Sequence, residues 1–96
     1  VEELKRFDVA EFNGVKMVVV ESQYLPPDPA VVVIPLLENY PAVRLLNPSI
    51  QVDDTALILA TRLITSVRRS ALSYGGSVEG QGDEIIRAVD VLMGGF

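Results

Sequence analysis

Apolar and polar positions along the chain change period several times, and each change marks an element. Residues 7–12 and 15–21 are two apolar-rich runs separated by Asn13-Gly14. That dipeptide is the strongest short-range signal for a two-residue type I′ hairpin, because both of its residues accept positive φ. In the second run Val15, Met17 and Val19 share one face and Lys16, Val18 and Val20 the other. Apolar residues on both faces predict a central strand covered on both sides.

Three prolines then fall within four residues at Pro26-Pro27-Asp28-Pro29. Neither a helix nor a central strand runs through such a stretch, so it reads as a stiff connection. Residues 31–37 are a third strand. Pro35 in it has no N–H for a ladder, which predicts an edge, a bulge or the last turn of the strand. Residues 38–47 are irregular, broken by Pro41 and closed by Asn47-Pro48. Runs 50–52 and 55–59 flank Asp53-Asp54, a short hairpin turn. Residues 63–67 add another short strand, and the glycines at 75, 76, 80 and 82 mark a loose polar loop.

The last segment carries the helical period. Asp83 serves as N-cap or first-turn acid, and Glu84 favours the positive end of the helix dipole. Ile85, Val89 and Leu92 fall at i, i+4 and i+7, with Ile86 and Met93 widening the stripe. Gly94 and Gly95 stop the helix, and Phe96 follows. The elements together predict a mainly β fold with one C-terminal α-helix.

Length turns this pattern into a single domain, residues 1–96, with a thin core. The apolar fraction is 49% and cysteine is absent, so the chain stabilises itself without disulfides or thiolate-bound metal. A homodimer is the expectation, with Val89, Leu92 and Met93 at its seam.

Chemistry is bounded by what is missing. Without histidine no Ser-His-Asp or Cys-His arrangement is possible, and the commonest nitrogen ligand for metals is gone. Thirteen acids against eight bases give −5, so no broad basic footprint for nucleic acid exists. No signal-peptide core and no apolar run of membrane-spanning length occurs, which predicts a soluble cytoplasmic protein without cofactor.

Three clusters remain as candidate sites. The glycine-rich stretch lacks the Lys-Ser/Thr pair of a phosphate loop, and Asp53-Asp54 has the character of a solvated turn rather than a Mg²⁺ site. Arg62, Arg68 and Arg69, with Thr61, Thr65 and Ser70, form the one concentration of positive charge. It reads either as a phosphate-holding cluster or as an arginine-bearing surface paired with acids. The apolar Phe96 beyond two glycines is either tucked into a core or seam, or a tip that inserts into a partner.

Several segments together resemble one family. Val31-Val32-Val33-Ile34-Pro35-Leu36 looks like the "(M/V)VIPL" strand of CcdB-type toxins, and Leu45-Leu46-Asn47-Pro48-Ser49-Ile50 is similar to their "L-N/Y-P" segment. Ala60-Thr61 and Ser66-Val67 repeat the spacing of that family's threonine-rich strand and following turn. Asp83-Glu84-Ile85-Ile86-Arg87-Ala88-Val89-Asp90 resembles the start of its terminal helix, and Gly95-Phe96 parallels its Gly-Ile. The order and spacing of these segments carry the likeness, from Phe7 to Phe96.

The resemblance implies an SH3-like β-barrel of the CcdB/MazF (Kid) type, a homodimer and a cognate CcdA-like antitoxin. It implies a non-enzymatic bacterial toxin of a toxin–antitoxin system, of the kind that serves plasmid maintenance. Such a toxin is a topoisomerase poison: it inhibits DNA gyrase by lodging in the gyrase A subunit. Met93, Gly94, Gly95 and Phe96 would be its target-binding tip. The best-known gyrase poisons carry Trp-Gly-Ile there, and the tryptophan position is Gly94 in this chain. Two alternatives share the fold. One is a MazF-like endoribonuclease using Thr61, Arg62, Arg68 and Arg69. The other is a diverged non-toxic relative that keeps only dimerisation and antitoxin binding.

Overall fold

The computed structural model describes residues 4–94. Its first hairpin pairs β1 (Asp8–Phe12) with β2 (Val15–Val19), and Val9 lies opposite Val18. Both turn residues have positive φ, 51° at Asn13 and 79° at Gly14, the conformation of a type I′ turn. β3 (Ala30–Leu37) pairs with the other edge of β2. β4 (Ser49–Val52) and β5 (Thr55–Leu59) form the second hairpin around Asp53, whose φ is 53°. β6 (Thr65–Arg68) and β7 (Ser73–Ser77) complete an antiparallel sheet of order β4-β5-β3-β2-β1-β7, with β6 also on β3. The sheet curls into a half-barrel, and α1 (Gly82–Gly94) packs on it.

Alternation along the strands builds two cores. Val9, Val18, Ile34, Leu36, Ile50 and Leu59 point to the face that α1 covers with Ile85 and Ala88. Met17, Val19, Val31 and Val33 point to the opposite face, where Leu4, Val67 and Leu72 cover them. The expectation that β2 is covered on both faces therefore holds. Each fully buried aliphatic side chain contributes about 1.5–3 kcal/mol, so two small clusters serve in place of one large core.

Pro35 is not at an edge. β3 is paired on both sides, and it changes partner along one of them. β6 ends opposite Val33 and β5 begins opposite Leu36. The Pro35 carbonyl accepts a hydrogen bond from the Ala60 N–H at 2.9 Å. The backbone groups of one residue point to the same side of a strand, so the missing N–H falls in the gap between the two partners.

Two further expectations are corrected. Gly75 and Gly76 do not lie in a loose loop but within β7, which gives β1 its outer partner. Ser77 pairs with Asp8 and Tyr74 with Ala10, so β7 carries one extra residue, and Gly76 takes φ 110° at that irregularity. In the 63–67 region Thr61–Leu63 is a 3₁₀ turn, and the strand starts at Thr65.

The helix is rotated from its expected setting. Gly82, Ile85 and Ala88 are buried and Val89 packs against the same core. Ile86 is 36% exposed and Met93 76% exposed, so neither widens the buried stripe. Two of the three buried positions of α1, Gly82 and Ala88, are small residues that carry little hydropathy signal. No helix among the described residues is long and apolar enough to cross a membrane.

Candidate functional site

Among the described residues, the C-terminal end of α1 is held from one side only. Ile85 and Ala88 fix the helix on the core, Val89 and Leu92 are half-buried, and Met93 and Gly94 stand in solvent. Gly95 and Phe96 lie outside the described residues. Asp83 and Glu84 occupy the first turn of α1, and no basic residue occupies its last. Acids at the start complement the helix dipole, while the carbonyl end, with about half a negative charge, has no cation from its own last turn. The end of α1 thus presents an exposed thioether beside hydrogen-bond acceptors.

The outward face of the helix continues this surface. Asp83, Ile86, Arg87 and Asp90 line a shallow groove of about 320 Å³. It is mixed in charge and holds one apolar side chain.

The arginines do not converge. Arg69 donates from Nη2 to Glu21 Oε2 at 3.1 Å and from Nε to the Asp28 carbonyl at 2.7 Å. It thereby pins the proline-rich connection to the sheet. Arg68 and Arg62 are exposed at the end of β6 and in the 3₁₀ turn. Thr61 is buried, and its hydroxyl donates to the Leu46 carbonyl. Thr61 ties its turn to the Leu46 carbonyl and Arg69 clamps a loop, so the pieces expected of a ribonuclease-type site are spent separately. Among the described residues no group of three or more acids is placed to hold a metal ion.

The irregular 38–47 connection contains one ordered turn. Val43 and Asn47 form a bridge across a tight turn, with Asn47 N–H to Val43 O at 2.8 Å. Within the turn Leu45 has φ 68°. A branched bulky side chain in the left-handed region costs about 1–2 kcal/mol. Asn47 braces the turn by donating from Nδ2 to the Pro41 carbonyl at 3.2 Å, and its buried Oδ1 has no partner among the described residues. The only sequence signal was the Leu45-Leu46-Asn47-Pro48 run.

A second concavity, of about 470 Å³, lies beside the proline-rich connection, lined by Leu4, Leu25, Pro27, Val31, Glu21 and Arg69. Its charged lining is balanced, with the Glu21–Arg69 ion pair beside Lys5 and Asp28.

Comparison with curated proteins gives no match. A family model described as CcdB protein matches residues 6–95, from just before β1 to beyond the last described residue of α1. That span covers every strand of the curled sheet and the terminal helix, in the order expected from the segment-by-segment likeness. The chain belongs to the CcdB family, the toxins of toxin–antitoxin modules.

Proposed function

We propose that this CcdB-family chain acts as a homodimer that inhibits DNA gyrase by binding its A subunit, without catalysing a reaction, and that a cognate antitoxin neutralises it. The engaging element is the segment Met93, Gly94, Gly95 and Phe96, with Val89, Leu92 and Met93 contributing to the dimer seam. The observation that carries the reading is the end of α1: the helix is anchored by Ile85 and Ala88, yet Met93 is left 76% exposed. Methionine is an adaptable apolar contact, and Met93 together with the exposed Ile86 gives α1 apolar side chains that a partner can cover.

Gly94 stands where the best-known gyrase poisons have tryptophan, so no π-face is offered to a cation of the target. The negative end of the α1 dipole, with no basic residue in its last turn, supplies the alternative attraction. Phe96 supplies the apolar anchor.

Calorimetry against purified gyrase A subunit tests this, with the parent chain, Met93→Asp, Phe96→Ala and Gly94→Trp. Truncating a true anchor at Phe96 weakens binding by about 1–3 kcal/mol, and melting curves stay unchanged. If the parent does not bind and a well-folded Gly94→Trp gains nothing, gyrase is not the target. The glycine at position 94 favours one second reading, a diverged relative that retains dimerisation and antitoxin binding. Absence of growth arrest on expression selects that reading.

A further inference from the structure

Sulfur enters this chain only at Met17 and Met93, since cysteine is absent. The fold treats the two side chains in opposite ways. Met17 lies in the second core, 7% exposed, among Val19, Val31 and Val33. Met93 stands 76% exposed in the last turn of α1. A thioether becomes a sulfoxide only where an oxidant can reach it, so one sulfur is shielded and the other is offered.

The surroundings of Met93 decide what that change does. A helical side chain covers the turn before its own Cα, where Met93 has Val89 and Asp90 as neighbours. Val89 is apolar and packs on the core, Asp90 is an exposed carboxylate, and no basic residue stands in the last turn. A sulfoxide oxygen at Met93 therefore finds no side-chain donor on this part of α1, and water meets it instead. The fold loses nothing by that. A partner covering the side chain has to strip the water, and a polar oxygen buried without a donor costs free energy. Oxidation at this position thus acts on binding and spares folding.

We propose that Met93 is a reversible oxidation site through which hydrogen peroxide turns off target binding. The inference rests on the reading of residues 93–96 as the target-binding segment. The Met93 sulfur attacks one oxygen of the peroxide with a lone pair, so that an S–O bond forms and the O–O bond breaks. The departing hydroxide takes the proton of the transferred hydroxyl and leaves as water. Sulfur gives up two electrons and the peroxide is reduced by two. Methionine sulfoxide reductases reverse the change: the oxygen leaves as water and two reductase thiols close to a disulfide.

Peroxide treatment of the full chain tests it, followed by peptide mass spectrometry, melting curves, light scattering and calorimetry against purified gyrase A subunit. Met93 gains an oxygen at least about tenfold faster than Met17. The chain oxidised at Met93 keeps its melting temperature, and it keeps its dimer mass because Val89 and Leu92 hold the seam. It binds the gyrase A subunit at least about fivefold more weakly. Treatment with both methionine sulfoxide reductases, one for each sulfoxide epimer, restores the affinity. Met17→Leu, a volume-conserving exchange, still loses affinity on peroxide treatment. Met93→Leu has the same affinity before and after treatment. Equal oxidation rates at the two methionines overturn the proposal. A parent that binds, with an oxidised chain that binds equally well, overturns the switch and leaves the gyrase reading standing. A parent that does not bind overturns the gyrase reading and the switch with it. Loss of dimer mass on oxidation also overturns the proposal, by moving the effect from the target to the seam.

Discussion

The side-chain amide of Gln81 holds the backbone of Gln51 from both ends: Gln51 N–H donates to Gln81 Oε1 and Gln81 Nε2 donates to the Gln51 carbonyl, each at 2.8 Å. The primary amide thus occupies the place of a neighbouring strand. β4 ends the sheet order at one side and β7 at the other, and Gln81 lies in the 3₁₀ turn that leads from β7 to α1. One side chain therefore ties the two ends of the curled sheet together. It also covers backbone groups of an edge strand that would otherwise template pairing with another chain.

Gln81→Ala is expected to lower stability by about 1–2 kcal/mol, the net value of two hydrogen bonds in partial exposure. Gln81→Glu rescues little, because a carboxylate accepts from the Gln51 N–H but has nothing to donate to its carbonyl. Urea denaturation measures both. Amide exchange at Gln51 accelerates in each variant, while exchange in β2 is unaffected.

Gly75 and Gly76 are neighbours with opposite tolerance. A Cβ on Gly75 meets Val9 atoms at 3.5 Å or more, ordinary contact, and its φ is unexceptional. Gly76 has open space around it but φ 110°, which an L side chain rarely adopts. Gly76→Ala should cost about 1–2 kcal/mol through backbone strain, and Gly75→Ala should be neutral within about 0.5 kcal/mol. Equal melting temperatures for the two variants would contradict the bulged pairing of β7 with β1.

Gly82 opens α1 against the ring of Phe7. A Cβ there would lie 2.7 Å from one ring carbon and 2.9 Å from another. Phe7 cannot simply withdraw: its N–H donates to Val19 O, its carbonyl accepts from Val78 N–H, and its φ is 73°. Gly82→Ala is expected to destabilise by about 1–2 kcal/mol, although alanine favours helix. Adding Phe7→Leu recovers part of that loss, and a double-mutant cycle reads the coupling as at least about 0.5 kcal/mol.

Adjacent isoleucines on α1 separate the two faces of the helix. Ile85 is 1% exposed within the core, whereas Ile86 borders the outer groove. Ile85→Ala should cost about 2–5 kcal/mol by cavity formation, and Ile86→Ala less than about 0.5 kcal/mol. Thermal melts of the pair check the rotation of the helix. Similar losses at both positions would mean that Ile86 is buried after all.

Much of the fold was legible locally. Asn13-Gly14 declared the first hairpin, because only residues that accept positive φ make that turn, and both of them adopt it. Asp53 did the same for β4 and β5. Alternation marked β2 as covered on both faces, and Val18 and Val19 enter separate cores. First-turn acids and the period through Ile85, Val89 and Leu92 announced α1. These signals act between residues a few positions apart, so the sequence carries them whole.

Other features depended on what arrives from far along the chain. β7 has no hydrophobic alternation; it is a strand because the outer edge of β1 needs hydrogen-bond partners and Gly76 permits the bulge that keeps them aligned. Pro35 sits inside the central strand because β6 and β5 leave a gap opposite it. Met93 stands outward because the buried face of α1 runs through Gly82, Ile85 and Ala88, two of them small residues with little hydropathy signal. Arg69 is committed to Glu21 and Asp28, and Thr61 to Leu46, although they stand in sequence among the residues of one cationic cluster. Pairing energy and steric fit between distant segments decided each of these, and neither is written in the local order of residues.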